Sequence, residues 1–379
     1  MDIKKDISSL TFGDVVGNLF TFGLWFYLAT IINPSSYGEI FYILGISAIP
    51  AYFALFAHPY TITVLTAQKI KIQSTLYLIS LICVTIIGIP LALFFERFEI
   101  LLLIFGIVIS SLGTAELLGK KSFSTYTKFF LAQKILICSL GLSFYYLFGE
   151  IGVLYGIGLA NLVYLPVVIQ TFLKIKINFG LLNSNLRFIL ENYGLGLTGV
   201  LKNEIDKVII PSIIGLSILG QYSLALQILN GLIIVPGIIF KYILPHDASG
   251  NPNKKLKKLS IIFSIIIAIF ASASSSYVIK QFFPNFLDSI DAFQIMSFSI
   301  IPLMLTAIFT SELLGIKKSN FVLFSRLLVF VLIIIFMIFL GPIFGITGLA
   351  LSFLIANSLE TIFLAICRKK TLLEKKNDN

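Results

Sequence analysis

The chain has 379 residues, 58% of them hydrophobic and only 12% charged, with a formal net charge of +10. At a mean hydropathy of +0.99 it carries more apolar side chain than a soluble domain of this length can cover with polar surface. The basic residues lie in small groups between apolar runs rather than on one soluble module, which excludes a nucleic-acid partner.

The apolar runs are about 18–25 residues long, enough to cross ~30 Å of hydrocarbon as helices. The alternating short strands of an outer-membrane barrel are absent. The fold class expected is therefore an all-α polytopic membrane protein. In chain order the spacing predicts twelve spans, near 10–32, 37–57, 75–95, 99–119, 128–148, 150–173, 187–211, 216–244, 259–279, 291–315, 321–340 and 346–367. The polar start "MDIKKDISSL" is followed by a full-length span, so that span is expected to double as the insertion signal. Breaks fall at turn-forming stretches: "NPSS" at 33–36, "HDASGNPNKK" at 246–255, "FPN" at 283–285 and "GPIFG" at 341–345. Cys83, Cys138 and Cys367 are isolated in predicted helices and read as packing residues, and no metal or other cofactor is expected.

Sorting the basic residues orients the chain. With both termini in the cytoplasm, twenty-one of the 28 Lys and Arg fall on inside segments, from Lys4 and Lys5 to Lys375 and Lys376, with Lys317 and Lys318 among them. Arg97 and Lys280 fall outside, and Lys134, Lys202, Lys207, Lys241 and Arg326 fall within spans. This asymmetry is what the positive-inside rule demands of a multi-pass protein of the cytoplasmic membrane.

The chain also repeats itself. "AELLGKKS" at 115–122 returns as "SELLGIKKS" at 311–319, and "FGEIGVLYGIGLAN" at 148–161 returns as "FGITGLALSFLIAN" at 344–357. Glu116 maps onto Glu312, and Phe148, Gly149, Gly152, Ala160 and Asn161 map onto Phe344, Gly345, Gly348, Ala356 and Asn357. More loosely, "NPSSYGEIFYILGIS" at 33–47 matches "LSILGQYSLALQILN" at 216–230, aligning Gly38 with Gly220, and "AHPY" and "LPHD" both set a His beside a Pro. Six spans per half is an even number, so the halves are parallel repeats: an N-terminal six-helix lobe over 1–180 and a C-terminal one over 181–379, expected to surround a central cavity.

The first helix ending in a Pro/Ser turn before "YGEIF", the seventh reading Ile205-Asp206-Lys207-Val208 before "LGQYSLALQI", and the "FG-x-x-G" openings of helices six and twelve resemble one family. They are similar to the Wzx-type polysaccharide and O-antigen flippases of the multidrug/oligosaccharidyl-lipid/polysaccharide exporter superfamily, over essentially the whole chain. The resemblance implies translocation of an undecaprenyl- or dolichyl-linked sugar from the cytoplasmic to the outer leaflet, driven by an ion gradient or by downstream consumption. It implies membrane lipids and polysaccharide-assembly enzymes as further partners. It also gives Asp206 the position of that family's aspartate on helix seven.

Candidate site residues follow from charge in apolar surroundings. "LKNEIDKVII" places Lys202, Asn203, Glu204, Asp206 and Lys207 deep in helix seven. At about 100° per residue, Lys202 and Asp206 lie roughly 40° apart, so the helix has a polar face. A charge at the bilayer centre costs about 2.5–3.5 kcal/mol on insertion scales, so that face is expected on a wet cavity or on itself. Lys202–Asp206 and Glu204–Lys207 have the spacing of ion pairs, and a purely structural network is the competing reading. Lys134 and Arg326 are candidate cations for a phosphate-linked sugar, although Arg326 could instead snorkel to the inner surface. Asp14 and Glu204 are candidates for ion coupling. Glu116 and Glu312 are expected to bind inner-loop lysines as gate or lobe contacts. Lys241 reads as snorkelling inward, His58 and His246 as structural, and Gly13/Gly17 and Gly152/Gly156 as close-packing sites.

Two other functions compete. A multidrug extruder of the same superfamily calls for an acidic cavity, whereas the mid-span charges here lean basic. A polyprenyl-dependent glycosyltransferase or polymerase needs acidic pairs on sizeable outside loops. Glu96, Glu99, Glu150, Asp288 and Asp291 sit on loops too small to build that site, so no enzyme is expected.

Overall fold

The computed structural model describes residues 3–377 apart from 57, 250 and 317. The side chains of 3–11, 195, 241, 245, 248 and 372–377 fall outside the described set, and with them the expectations placed on Lys4, Lys5, Lys241, Lys317, Lys375 and Lys376. Among the described residues there are helices and no strands.

The helices are α1 (Ile3–Ile31), α2 (Pro34–Ala54), α3 (Pro59–Ala67), α4 (Gln73–Phe94), α5 (Phe98–Gly119), α6 (Phe123–Phe148) and α7 (Glu150–Asn161). They continue as α8 (Leu165–Lys174), α9 (Phe179–Ile213), α10 (Leu216–Ala248), α11 (Lys254–Phe282), α12 (Ser289–Ser297), α13 (Ile300–Gly315) and α14 (Ser319–Asn377). α7 and α8 make one span, joined by a single 3₁₀ turn at Leu162–Tyr164 where Pro166 at the start of α8 lacks a backbone donor. α12 and α13 make another, and α14 makes two that meet at Gly345. Among the described residues ten stretches are long and apolar enough to span a bilayer. Dividing the last at Gly345 and adding α9, which carries Arg187, Glu191, Lys202, Glu204, Asp206 and Lys207, gives the twelve spans of a multi-pass membrane protein. α3 falls between the second and third expected spans. It is a nine-residue helix opened by Pro59 and capped by His58, whose Nδ1 accepts from the Tyr60 amide at 3.3 Å.

The chain forms two compact units. The first holds residues 1–28 and 40–204, the second residues 29–39 and 205–379. In the first, α5 is central, packed by α3, α4, α7 and α8. In the second, α13 packs against α10, α11 and α14.

The structure gives the repeated FG-x-x-G motif a physical reason. Gly149 and Gly345 take φ of 68° and 60°, a region open to glycine and costly to other residues, and each turns the chain sharply between two helices. Three residues later the returning helix touches the one just left. A methyl on Gly152 would lie 2.0 Å from the Phe144 carbonyl oxygen, and one on Gly348 would lie 2.1 Å from that of Leu340. The same motif therefore makes the same helical hairpin in both halves.

A second glycine pair is reciprocal. Inside the second unit the first turns of α2 and α10 cross: a methyl on Gly38 would lie 1.9 Å from Leu216 O, and one on Gly220 would lie 1.8 Å from Pro34 O. Pro34 aligns with Leu216 in the register that aligns Gly38 with Gly220. The crossing thus has the self-complementary form of a two-fold contact, residue to partner and partner back to residue.

His58 also locks a helix in the first unit. A methyl on Gly196 of α9 would lie 1.9 Å from His58 Cδ2, so the ring fills the notch that this glycine leaves. Burial pushes the imidazole below its usual 6.5, because the charged form is desolvated. With the folded value depressed, the stability from this contact is complete above about pH 6.5. It is lost as pH falls from there through the folded value, where the unfolded chain binds the extra proton. Thermal unfolding at pH 7.5 and pH 5 checks this: the acid-induced drop should shrink in His58→Gln, and an unchanged drop would place the acid sensitivity elsewhere.

Candidate functional site

The sequence puts Lys134 at the twelfth position of the 26-residue α6, roughly 16 Å from its nearer end at ~1.5 Å per residue. Among the described residues Lys134 makes no ion pair. Its ammonium instead lies 5.3 Å from the centre of the Phe130 ring, one turn earlier on the same helix. The Tyr126 ring, one turn earlier again, stacks on Phe130 with centroids 5.8 Å apart and planes 18° from parallel. α1 faces this ladder with its glycines. A methyl on Gly17 would lie 2.5 Å from Phe130 Cε1 and 3.1 Å from Lys134 Cγ, and one on Gly13 would lie 2.9 Å from Thr127 Cγ2. Asp14, half-buried between them, is near enough for its charge to act on the Tyr126 hydroxyl. A half-buried cation, two stacked rings and a carboxylate thus share the α1–α6 face of the first unit.

The helix-seven block straddles the boundary of the units. Lys202, Asn203 and Glu204 belong to the first, and Asp206 and Lys207 to the second. Asn203 is exposed, Lys202, Glu204 and Lys207 are half-buried, and Asp206 is buried. Asp206 Oδ1 accepts from the Lys207 amide at 2.8 Å, and its charge is felt at Tyr222 on α10. In the first unit the charge of Glu204 is near enough to act on the Tyr52 hydroxyl. Arg326 is exposed on α14, in a different unit from Lys134.

The repeat-related glutamates each tie several helices together within their own unit. Glu116, in the last turn of α5, is wholly buried and collects four donors. Lys120 Nζ lies at 2.7 Å, Tyr77 OH at 3.1 Å, Thr171 Oγ1 at 3.2 Å and Thr66 Oγ1 at 3.3 Å. A carboxylate at a helix C-terminus opposes the helix dipole, and these donors offset that cost. Glu312, in the last turn of α13, pairs with Lys257 at 2.9 Å and with Arg368. Lys257 also pairs with Asp247 at 2.6 Å, and Asp247 accepts from Ser311 Oγ at 2.5 Å.

Sequence reasoning passed over Phe130, Asp247 and Glu360. Glu360 is buried in the second half of α14 and accepts from Ser325 Oγ at 3.3 Å. A lone carboxylate in "LIANSLETIFLAI" was visible as a signal, and the repeat sets Tyr164 in its place in the first half. Phe130 was visible as the residue four before Lys134. Asp247 was hidden, because Lys257 lies on the next helix, ten residues on, and Ser311 lies 64 residues on.

Twelve membrane spans, in two halves that repeat the same hairpin, define the class: a polytopic helical membrane protein with a duplicated six-helix architecture. Comparison with solved structures narrows this. The chain is similar to an inward-facing multidrug resistance MATE family transporter of the MOP superfamily, at 14% identity over 98% of this chain and 99% of that one, with a TM-score of 0.72. It is also similar to the lipid II flippase MurJ in an inward closed conformation, at 14% identity over 95% of this chain and 87% of that one, TM-score 0.69. An outward-facing MATE family transporter matches at 15% identity over 100% and 97% of the two chains, TM-score 0.64. No protein-family model and no curated protein matches the chain. The chain shares the fold of these solved transporters.

Proposed function

We propose that the chain flips a polyprenyl-(pyro)phosphate-linked oligosaccharide across the cytoplasmic membrane by alternating access, with both termini cytoplasmic, for assembly of a surface glycan. The observation that carries this reading is Lys134, a cation deep in α6 that makes no ion pair among the described residues and stands ready for an anion. A phosphate in a low-dielectric site gains most from such a group. Lys202, Asn203, Asp206, Lys207 and Arg326 are the further substrate contacts proposed, Asp14 and Glu204 the coupling groups, and Glu116 and Glu312 the gate or lobe contacts. Lobes of residues 1–180 and 181–379 carry out the exchange, and polysaccharide-assembly enzymes supply and consume the substrate. A second reading, multidrug extrusion, is supported by the fold likeness to the MATE transporters. Against it stands Lys134, whose ammonium already lies on the aromatic face where an organic cation would have to sit.

The test is transport of a labelled polyprenyl-diphosphate sugar in reconstituted vesicles. Removing one charge-assisted contact costs about 1.5–3 kcal/mol, so Lys134→Ala should slow flipping roughly tenfold to a hundredfold. Arg326→Ala should slow it as well. Wild-type rates in both variants would remove the cationic site from the mechanism.

A further inference from the structure

Lys134 holds its ammonium over the face of an aromatic ring. Phe130 offers the face of its ring, Tyr126 stacks beside it, and Asp14 places negative charge within range of the Tyr126 hydroxyl. An aromatic pair next to a carboxylate attracts a hydrophobic organic cation. The chain fills that face with its own ammonium. Gly17 makes room for the arrangement, since a methyl there would meet both the Phe130 ring and the Lys134 stem.

Building on the flippase reading, we infer that Lys134 is a specificity-determining residue that plugs an aromatic cation site. A tethered ammonium competes at an effective concentration of about millimolar or more, so a free organic cation must displace it. Once displaced, the lysine still lies beside the intruder and repels it. Specificity of this kind comes from a repulsive element as much as from an attractive one. An anion need not displace the ammonium, which turns from the ring to the phosphate and there offsets the repulsion from Asp14. Phe130, Tyr126 and Asp14 favour a cation, and the charge at position 134 turns the face against cations and toward anions.

The inference predicts a gain of function. Binding of tetraphenylphosphonium to the purified full chain in lipid nanodiscs is measured by equilibrium dialysis, with empty nanodiscs subtracted. Lys134→Met should bind the probe about tenfold tighter than wild type or better. Lys134→Gln supplies the same neutral site in a second side chain, for use if the methionine variant unfolds. Lys134→Arg should bind no tighter than wild type, and adding Phe130→Leu to Lys134→Met should remove the gain. Equal binding by wild type and the neutral variants, or a gain that survives loss of the Phe130 ring, overturns the plug. A wild type that flips lipid-linked sugar while the neutral variants gain no probe binding overturns the plug alone. A wild type that flips no such sugar, with the probe gain present, overturns the flippase reading and leaves the plug standing.

Discussion

Gly38→Ala and Gly220→Ala are each expected to destabilise the protein by about 3 kcal/mol or more, as a large drop in thermal unfolding midpoint in detergent. The new methyl would lie 1.9 Å from Leu216 O in one variant and 1.8 Å from Pro34 O in the other, where ordinary contact begins near 3.4 Å. Both obstacles are backbone atoms of a helical first turn, so no side chain can swing aside. Nor can the turns slide apart cheaply. The connections that carry them are only two residues long, Ile32–Asn33 before α2 and Ile214–Gly215 before α10. Gly23→Ala is the control, since nothing lies within 4 Å of its added methyl. In a helix interior alanine is favoured over glycine by roughly 0.5–1 kcal/mol, so that variant should hold or gain stability. Equal midpoints for Gly38→Ala and Gly23→Ala would show that α2 and α10 do not cross as described.

The second large effect is expected at Lys257. Its side chain is 8% exposed and that of Asp247 is 4% exposed, with Glu312 at 23%. Lys257→Met keeps the stem length and removes the charge. Glu312 retains Arg368, and Asp247 retains the Ser311 hydroxyl, but the cation shared by the buried Asp247 and the half-buried Glu312 is gone. Breaking a buried ion pair from one side costs about 3–5 kcal/mol, because the remaining charge stays desolvated. The exposed neighbour provides the comparison: Lys258→Met should change stability by no more than about 0.5 kcal/mol. Adding Asp247→Asn to Lys257→Met should recover part of the loss, since it removes one of the stranded charges. If Lys257→Met unfolds at the same temperature as Lys258→Met, the network does not hold α10, α11, α13 and α14 together.

These residues show what the sequence could and could not reveal. The FG-x-x-G repeat was legible because two backbone requirements, a positive φ and a contact too close for a side chain, admit only glycine, and they recur at fixed spacing. Gly38 and Gly220 were aligned by sequence, although their contact with each other was not apparent from it. The twelve spans were legible because hydrocarbon thickness sets a length that composition reveals. α3 was missed because a nine-residue helix between spans leaves too short a pattern, with His58 and Pro59 reading as a turn. Glu116 and Glu312 stood out as carboxylates ending apolar runs. Their partners Thr66, Tyr77, Thr171 and Arg368 did not, because hydroxyls and late-chain cations carry no local signal of a distant contact. At Lys134 the charge was legible and its environment was not. Only the structure shows the ammonium on an aromatic face and α1 glycines opposite it.

Uptake by one preparation of wild-type proteoliposomes, offered a labelled polyprenyl-diphosphate sugar and a labelled lipophilic cation in parallel, tests the central claim most directly. The account predicts protein-dependent flipping of the anionic sugar lipid and no protein-dependent movement of the cation. Cation transport without sugar-lipid flipping would contradict it and return the chain to the multidrug reading.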